Sequence, residues 1–204
     1  SHVAAADGVV LLSMGTPGTQ LVDVSDPAAP QPFVDFPPPA PPWEAEDVAV
    51  GGGLAAVADT GGLFWSAPPF GGVRIIDVSD PLQPREISSL GFDEPSRQVA
   101  LYGDEHVLVL RGQEEITPMT LEVVDIAEPG DPAAVGGLQF SGPPWGELVV
   151  SGDHAYVTDY SLNIVDLTDP TNPVLAGQAF AGPGFGDALA VVGDRAYVAA
   201  PSGF

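Results

Sequence analysis

The sequence predicts an all-β fold, a β-propeller of four-stranded antiparallel blades, and three observations lead to that prediction. A strand-turn segment with a central aspartate recurs four times, and its aspartates lie 54, 48 and 41 residues apart. Recurring units of about 40 to 50 residues are typical of propellers and other repeat folds. Short β-branched runs alternate with turn residues, and no apolar run keeps a helical period between caps. The four copies are Leu21–Pro27, Ile75–Pro81, Val123–Pro129 and Ile164–Pro170.

The fourth repeat shows which strands each unit contains. Two apolar runs between Leu148 and Thr158 are separated by a Gly-Asp pair, which is a hairpin signal. A β-branched run over 162–167 follows, and after a turn cluster comes a fourth run over 174–180. Each repeat therefore supplies four consecutive strands, called A to D. The predicted repeats are 3–46, 47–96, 97–146 and 147–186, with the first two strands of a fifth in 187–204.

The aspartate that ends strand C, such as Asp77, is open to two interpretations. Its carboxylate can accept N–H groups of the following Ser-Asp-Pro turn and fix the connection to strand D. Alternatively it is a calcium ligand in each blade, which needs several converging oxygens, and no D-x-D-x-D-G loop supplies them. In the third repeat, 127–132 departs from the usual turn sequence, so its connection is expected to differ in shape.

These segments resemble LVIVD repeats, a family of bacterial and archaeal surface-type β-propeller repeats. The resemblance rests on the V-D-V-S-D-P-x-x-P strand-turn, on Ala-Tyr-Val at 155–157 and 196–198, and on the Gly-Asp turns at 152 and 193. It covers essentially the whole chain. It implies a protein outside the cytoplasm, which is secreted, at the cell surface or in the periplasm, and it implies no single activity.

Composition excludes several classes of partner. Five arginines and no lysine stand against 28 acidic residues, which gives a net charge of −23. Such a charge repels phosphate backbones and anionic lipid surfaces, so neither nucleic acid nor membrane insertion is expected. The absence of cysteine excludes disulfides, thiolate metal sites and a cysteine nucleophile. No apolar run reaches the length of a membrane span.

Aromatic residues concentrate in connections expected on one face of the ring. The D–A and B–C connections of a propeller emerge on this top face, and the A–B and C–D turns emerge on the bottom face. Trp65 lies in a connection of fourteen residues, a length that favours a binding role. Trp43 and Trp145 could instead cover the edge of a neighbouring blade. The candidate ligand-binding residues are Trp43, Phe64, Trp65, Phe70, Trp145, Tyr160 and Phe185.

Polar residues align at the start of strand A, which lies at the mouth of the central channel. A ring of carboxylates there could hold a hard cation such as calcium, which prefers several oxygen ligands. The alternative is a set of solvated polar side chains. The aligned residues are His2, Asp47, Gln98, Glu147 and Asp187, of which Asp47, Glu147 and Asp187 are the candidate metal ligands.

Two functions are compatible with these patterns. The first is a non-enzymatic binding or scaffold module that recognises a protein or glycan through the top-face aromatics. The second is a propeller hydrolase or lyase with a metal at the channel. No catalytic residue is predicted, because no nucleophile elbow, H-E-x-x-H or Walker loop occurs. His106 and His154 are also expected on the bottom face, away from the aromatics.

The last segment of the sequence supplies only strands A and B of the fifth blade. An unpaired strand edge invites pairing with another chain. We therefore expect a longer chain, a partner or a second copy to complete this blade. The alternative is a self-closed monomer of five blades.

Overall fold

The computed structural model describes residues 2–15, 18–31, 34–36, 44–61, 71–113, 118–142, 146–180 and 188–199. All regular secondary structure within these residues is β-strand. The strands form four four-stranded antiparallel sheets and one two-stranded sheet, and strands adjacent in sequence are neighbours in each sheet. The predicted all-β architecture of four-stranded blades is therefore confirmed. How the fifth blade is completed stays a prediction.

Each blade takes its strands A to D from consecutive strands of the chain. Blade 1 consists of β1 (Val3–Ala6), β2 (Val9–Ser13), β3 (Thr19–Asp23) and β4 (Val34–Phe36). Blade 2 consists of β5 (Ala45–Gly51), β6 (Leu54–Asp59), β7 (Gly71–Asp77) and β8 (Arg85–Phe92). Blade 3 consists of β9 (Ser96–Tyr102), β10 (His106–Arg111), β11 (Met119–Asp125) and β12 (Ala133–Phe140). Blade 4 consists of β13 (Leu148–Ser151), β14 (His154–Thr158), β15 (Ser161–Asp166) and β16 (Val174–Phe180), and β17 (Ala188–Val192) and β18 (Arg195–Ala199) follow.

The apolar core is divided among the junctions between blades. Successive side chains of a strand point to opposite faces, so each blade contributes to two junctions. In blade 2, Val57 and Ile76 pack toward blade 1, whereas Ala56 and Ile75 pack toward blade 3. A third cluster, which includes Leu121, joins blades 3 and 4. Because no blade buries both of its faces alone, stability depends on the contacts between neighbours.

The C–D turns confirm the structural interpretation of the repeated aspartate. The Asp77 carboxylate accepts the N–H of Ser79 at 3.1 Å, and Asp23, Asp125 and Asp166 make the equivalent bond. The hydrogen bonds from Ser79 lower the pKa of Asp77. The third turn was expected to differ in shape, but this expectation is wrong, because the turn has the same backbone hydrogen bond as the other three. Glu128 O accepts the N–H of Asp131 at 2.9 Å, as its counterparts in the other turns do.

Candidate functional site

Strand A of each blade lies beside strand A of the next. The polar residues at the beginning of these strands come together at the top face. The four strands β1, β5, β9 and β13 lie side by side in that order, on the side of the blades where a central channel is expected. His2, Asp47, Gln98 and Glu147 line one cavity of about 350 Å³ there. The structure thus brings together four of the five aligned polar residues. Asp187 lies outside the described residues.

Side chains of this cavity bind the backbone of the next blade. The Asp47 carboxylate accepts the N–H of Val99 at 3.0 Å, and Gln98 Oε1 accepts the N–H of Leu148 at 2.6 Å. Asp47 and Gln98 are both more than nine-tenths buried. Each therefore ties its own strand A to strand A of the following blade.

The second oxygen of Asp47 is also engaged. It lies 3.0 Å from Nδ1 of His2. The hydrogen bond with Asp47 raises the pKa of His2 above its ordinary value of 6.5, and the charge of Glu147 adds to that rise, while burial opposes it. Among the residues that the structure describes, no three His, Asp or Glu side chains are arranged to hold a metal ion. The cavity is therefore a junction between blades. Of the two carboxylates described in it, that of Asp47 is used in these inter-blade bonds and that of Glu147 is not.

Tyr160 is the candidate binding residue whose position is described. It belongs to the short connection between β14 and β15, and 52% of its surface is exposed. Asp159 fixes this turn, because its carboxylate accepts the N–H of Ser161 at 2.6 Å. Gly142 packs so closely that a Cβ there would lie 2.4 Å from the Asp159 carboxylate. The other candidates, Trp43, Phe64, Trp65, Phe70, Trp145 and Phe185, lie outside the described residues.

One set of polar residues escaped the sequence analysis. It occupies the position three residues before the repeated aspartate, in the middle of strand C: Gln20, Arg74, Glu122 and Asn163. Arg74 hydrogen-bonds to Asp59, and both side chains are fully buried. Burial raises the pKa of Asp59, and the Arg74 guanidinium opposes that rise.

The same position in the other blades also carries hydrogen bonds. Glu122 accepts from Arg111 at 2.8 Å, and Asn163 Oδ1 accepts from Gln178 at 2.7 Å. A polar residue recurring inside an apolar strand C was the signal that could have revealed this set. Blades 2, 3 and 4 therefore each contain a polar pair that includes a residue of strand C, as well as apolar faces.

A family comparison supports the repeat assignment. The model described as LVIVD repeat matches residues 67–90 and 146–179. A comparison with proteins of established function found no matching sequence. The described residues contain no helix that is long and apolar enough to cross a membrane.

Solved structures with the same architecture include two of AztD from Citrobacter koseri, one of them the apo form. Each aligns at a TM-score of 0.55 and 17% identity, over 88% of this chain and 48% of the other chain. The chain thus spans about half the length of these structures, and at such identity the likeness concerns the fold alone. An acylaminoacyl peptidase in complex with a chloromethyl ketone aligns at a TM-score of 0.48 and 11% identity, over 89% of this chain and 32% of the other, which is too low for any argument. The two matched segments are LVIVD repeats, and the four-stranded blades that contain them have the architecture of a β-propeller.

Proposed function

We propose that this propeller is a non-enzymatic binding or scaffold module outside the cytoplasm, and that it recognises a protein or glycan ligand through its top face. The observation that carries the proposal is the presentation of Tyr160. Its exposed ring stands on a short turn that Asp159 and Gly142 hold in place. A tyrosine fixed in this way loses little conformational entropy when it binds, which is why such residues serve as anchors of interfaces.

The same face supports a composite site. From the order of the strands, the D–A and B–C connections that carry Trp43, Trp65 and Trp145 in the sequence are expected on the face that bears Tyr160. Variable connections on a rigid repeat scaffold are common places for ligand binding. The cavity that contains Glu147 opens on this face too, and its carboxylate suits a ligand with hydroxyl or amino donors.

The hydrogen bonds at the channel weigh against the alternative of a metal-dependent hydrolase or lyase. Asp47 uses one oxygen for Val99 and the other for His2. Calcium there would have to compete with these bonds between blades for the Asp47 oxygens. The extracellular location rests on the family resemblance, and the acidic surface favours ligands that are neutral or basic.

Screening against a panel of neutral oligosaccharides and basic peptides tests the proposal. The variants are Tyr160→Ala and Trp65→Ala, and the matched control is Tyr197→Ala. Tyr197 is similarly exposed, at 56%, but lies within strand β18 rather than in a top-face connection. We expect each top-face variant to weaken binding by about tenfold or more, as for an interface anchor, with no change for the control. Equal binding by all variants would show that the ligand uses another surface.

A further inference from the structure

The junctions between blades differ at the bottom face in one position. Strand A ends with Ala6 in blade 1, Gly51 in blade 2, Tyr102 in blade 3 and Ser151 in blade 4. These residues are equivalent, because each is the last residue of its strand before the A–B turn. Blade 3 thus has a large side chain, Tyr102, at the position where blade 2 has a glycine, Gly51.

Tyr102 reaches across its junction to blade 4. Its hydroxyl donates to the carbonyl oxygen of Leu167 at 3.1 Å and lies 3.4 Å from the carboxylate of Asp153. Its ring packs against the apolar cluster between blades 3 and 4. The junction of blades 3 and 4 therefore shows how a tyrosine is held at this position.

The junction of blades 2 and 3 has similar hydrogen-bonding groups but lacks the tyrosine. Beside Gly51 lies a cleft of about 310 Å³ that Ile126 and Asp104 help to line. Ile126 follows the repeated aspartate in blade 3, as Leu167 does in blade 4. Asp104 follows the glycine of its A–B turn, as Asp153 does, although this turn is one residue longer and Glu105 O takes the place of Asp153 O in accepting the backbone N–H from strand C. The carbonyl of Leu167 thus has a counterpart in this cleft, and Asp104 supplies a carboxylate there as Asp153 does for Tyr102.

We propose that the Gly51 cleft is a docking pocket for a tyrosine side chain of a protein partner. Its remaining walls come from Leu54, Leu101 and the turn glycines Gly52 and Gly103, so the ring would meet apolar groups while its hydroxyl meets Asp104. A cavity of about 150 Å³ holds benzene, so the cleft has room for one aromatic ring. This surface lies on the face opposite to the proposed ligand site.

The charge of the bottom face specifies the sequence around that tyrosine. The neighbouring C–D turns carry Asp77, Asp80, Asp125 and Glu128. An acidic rim favours a segment in which basic residues flank the tyrosine. The junction of blades 1 and 2 also has a cleft, of about 250 Å³, but its carboxylate, Asp7, belongs to the first of the two blades and accepts the N–H of Gly52. Only at the Gly51 cleft does the second blade of the junction supply a carboxylate, as it does for Tyr102, and this selects the junction at Gly51 among the two clefts.

The test uses the peptide acetyl-Arg-Tyr-Arg-amide and the whole chain, followed by backbone amide shifts in NMR. We expect saturable shifts at Gly52, Gly103 and Ile126 with a Kd on the order of 1 mM, since a single side chain supplies the contact. The peptide with phenylalanine should bind a few-fold more weakly because it has no hydroxyl for Asp104. The peptide with alanine should give no saturable shift at these amides.

Two variants make opposite changes to the junctions. Gly51→Tyr supplies the missing ring from the chain itself, because Gly51 lies in strand β5, and peptide binding should fall at least tenfold. Its Cβ would lie 3.1 Å from the end of the Leu101 side chain, so that side chain must move slightly. Tyr102→Gly opens the second junction and should add a second peptide site, detected at Gly152 and Leu167. If Gly51→Tyr does not fold, the number of sites in Tyr102→Gly decides the matter.

Several results would overturn the proposal. They are the absence of saturable shifts in the unmodified protein, equal binding of the alanine peptide, unchanged binding by folded Gly51→Tyr, and a single site in Tyr102→Gly. Equal binding of the alanine peptide would mean that charge attraction alone explains the association. None of these residues belongs to the top face, so failure of this proposal leaves the proposed function standing, and the reverse also holds.

Discussion

Blades 2 and 3 place an ion pair at the same two positions with the charges exchanged. In blade 2 the acid, Asp59, ends strand B and the base, Arg74, lies in strand C. In blade 3 the base, Arg111, ends strand B and the acid, Glu122, lies in strand C. The strand registers put both pairs on the same diagonal. The fold therefore accepts either polarity, provided that the two positions are complementary.

The two pairs differ in exposure. The side chains of Arg74 and Asp59 are 1% and 0% exposed, whereas those of Arg111 and Glu122 are 22% and 15% exposed. Loss of one partner from a buried pair leaves a charge in a medium that solvates it poorly. A partly exposed pair retains water, so the loss of one partner matters less. Burial, rather than the presence of a pair, should determine its effect on stability.

The largest effect is expected for Arg74→Met. This change leaves Asp59 buried without its cation and should lower the free energy of unfolding by about 3–5 kcal/mol. Urea unfolding followed by circular dichroism measures the change. In the double variant Asp59→Leu with Arg74→Met, the one charge left without its partner is that of Glu86, whose side chain is 29% exposed, so most of the stability should return. A single variant that loses less than the exposed pair would contradict the role assigned to burial.

A change at the boundary between the two blades should come next. Asp47→Ala removes the acceptor for the buried N–H of Val99, and we expect a loss of about 1–3 kcal/mol in the free energy of unfolding. Asp47→Asn is the matched control, since its amide oxygen can still accept that N–H. Equal loss in both variants, measured by urea unfolding, would mean that charge rather than the hydrogen bond holds the junction.

Arg111→Met should have a smaller effect. The guanidinium binds Glu94 and Glu122 and lies 5.4 Å from the centre of the Phe92 ring, but all its ionic partners are partly exposed. We expect a loss of about 1 kcal/mol, which should shrink as salt is raised. Thermal unfolding at low and high salt checks both points. A loss as large as that of Arg74→Met would remove the distinction between the two blades.

The sequence predicted the blades but not these pairs, and the reason is physical. Strand and turn signals are local, so the hairpins and the Asp77 type of turn could be recognised from neighbouring residues alone. The pairing of Asp59 with Arg74 spans strands separated by a long connection, and no local pattern specifies it. The contact between Asp47 and Val99 joins two blades and depends on their packing. Alignment of repeats could still find polar residues that share a register, as it did at the channel.

The smallest expected effect is the pH dependence of stability that arises from the contact of His2, just before blade 1, with Asp47 of blade 2. The pKa of His2 is raised in the folded protein by Asp47, so its protonated form stabilises the fold. That contribution is fully present below the unfolded value of about 6.5 and is lost as pH rises through the higher folded pKa. Asp47→Asn keeps the acceptor for Val99 but removes the charge, so it should flatten this dependence while leaving the junction intact. NMR titration of the His2 imidazole, with urea unfolding between about pH 5 and pH 9, measures both quantities. A His2 pKa at or below its ordinary value in the unmodified protein, or the same slope in both proteins, would show that Asp47 acts on the blades and not on the histidine.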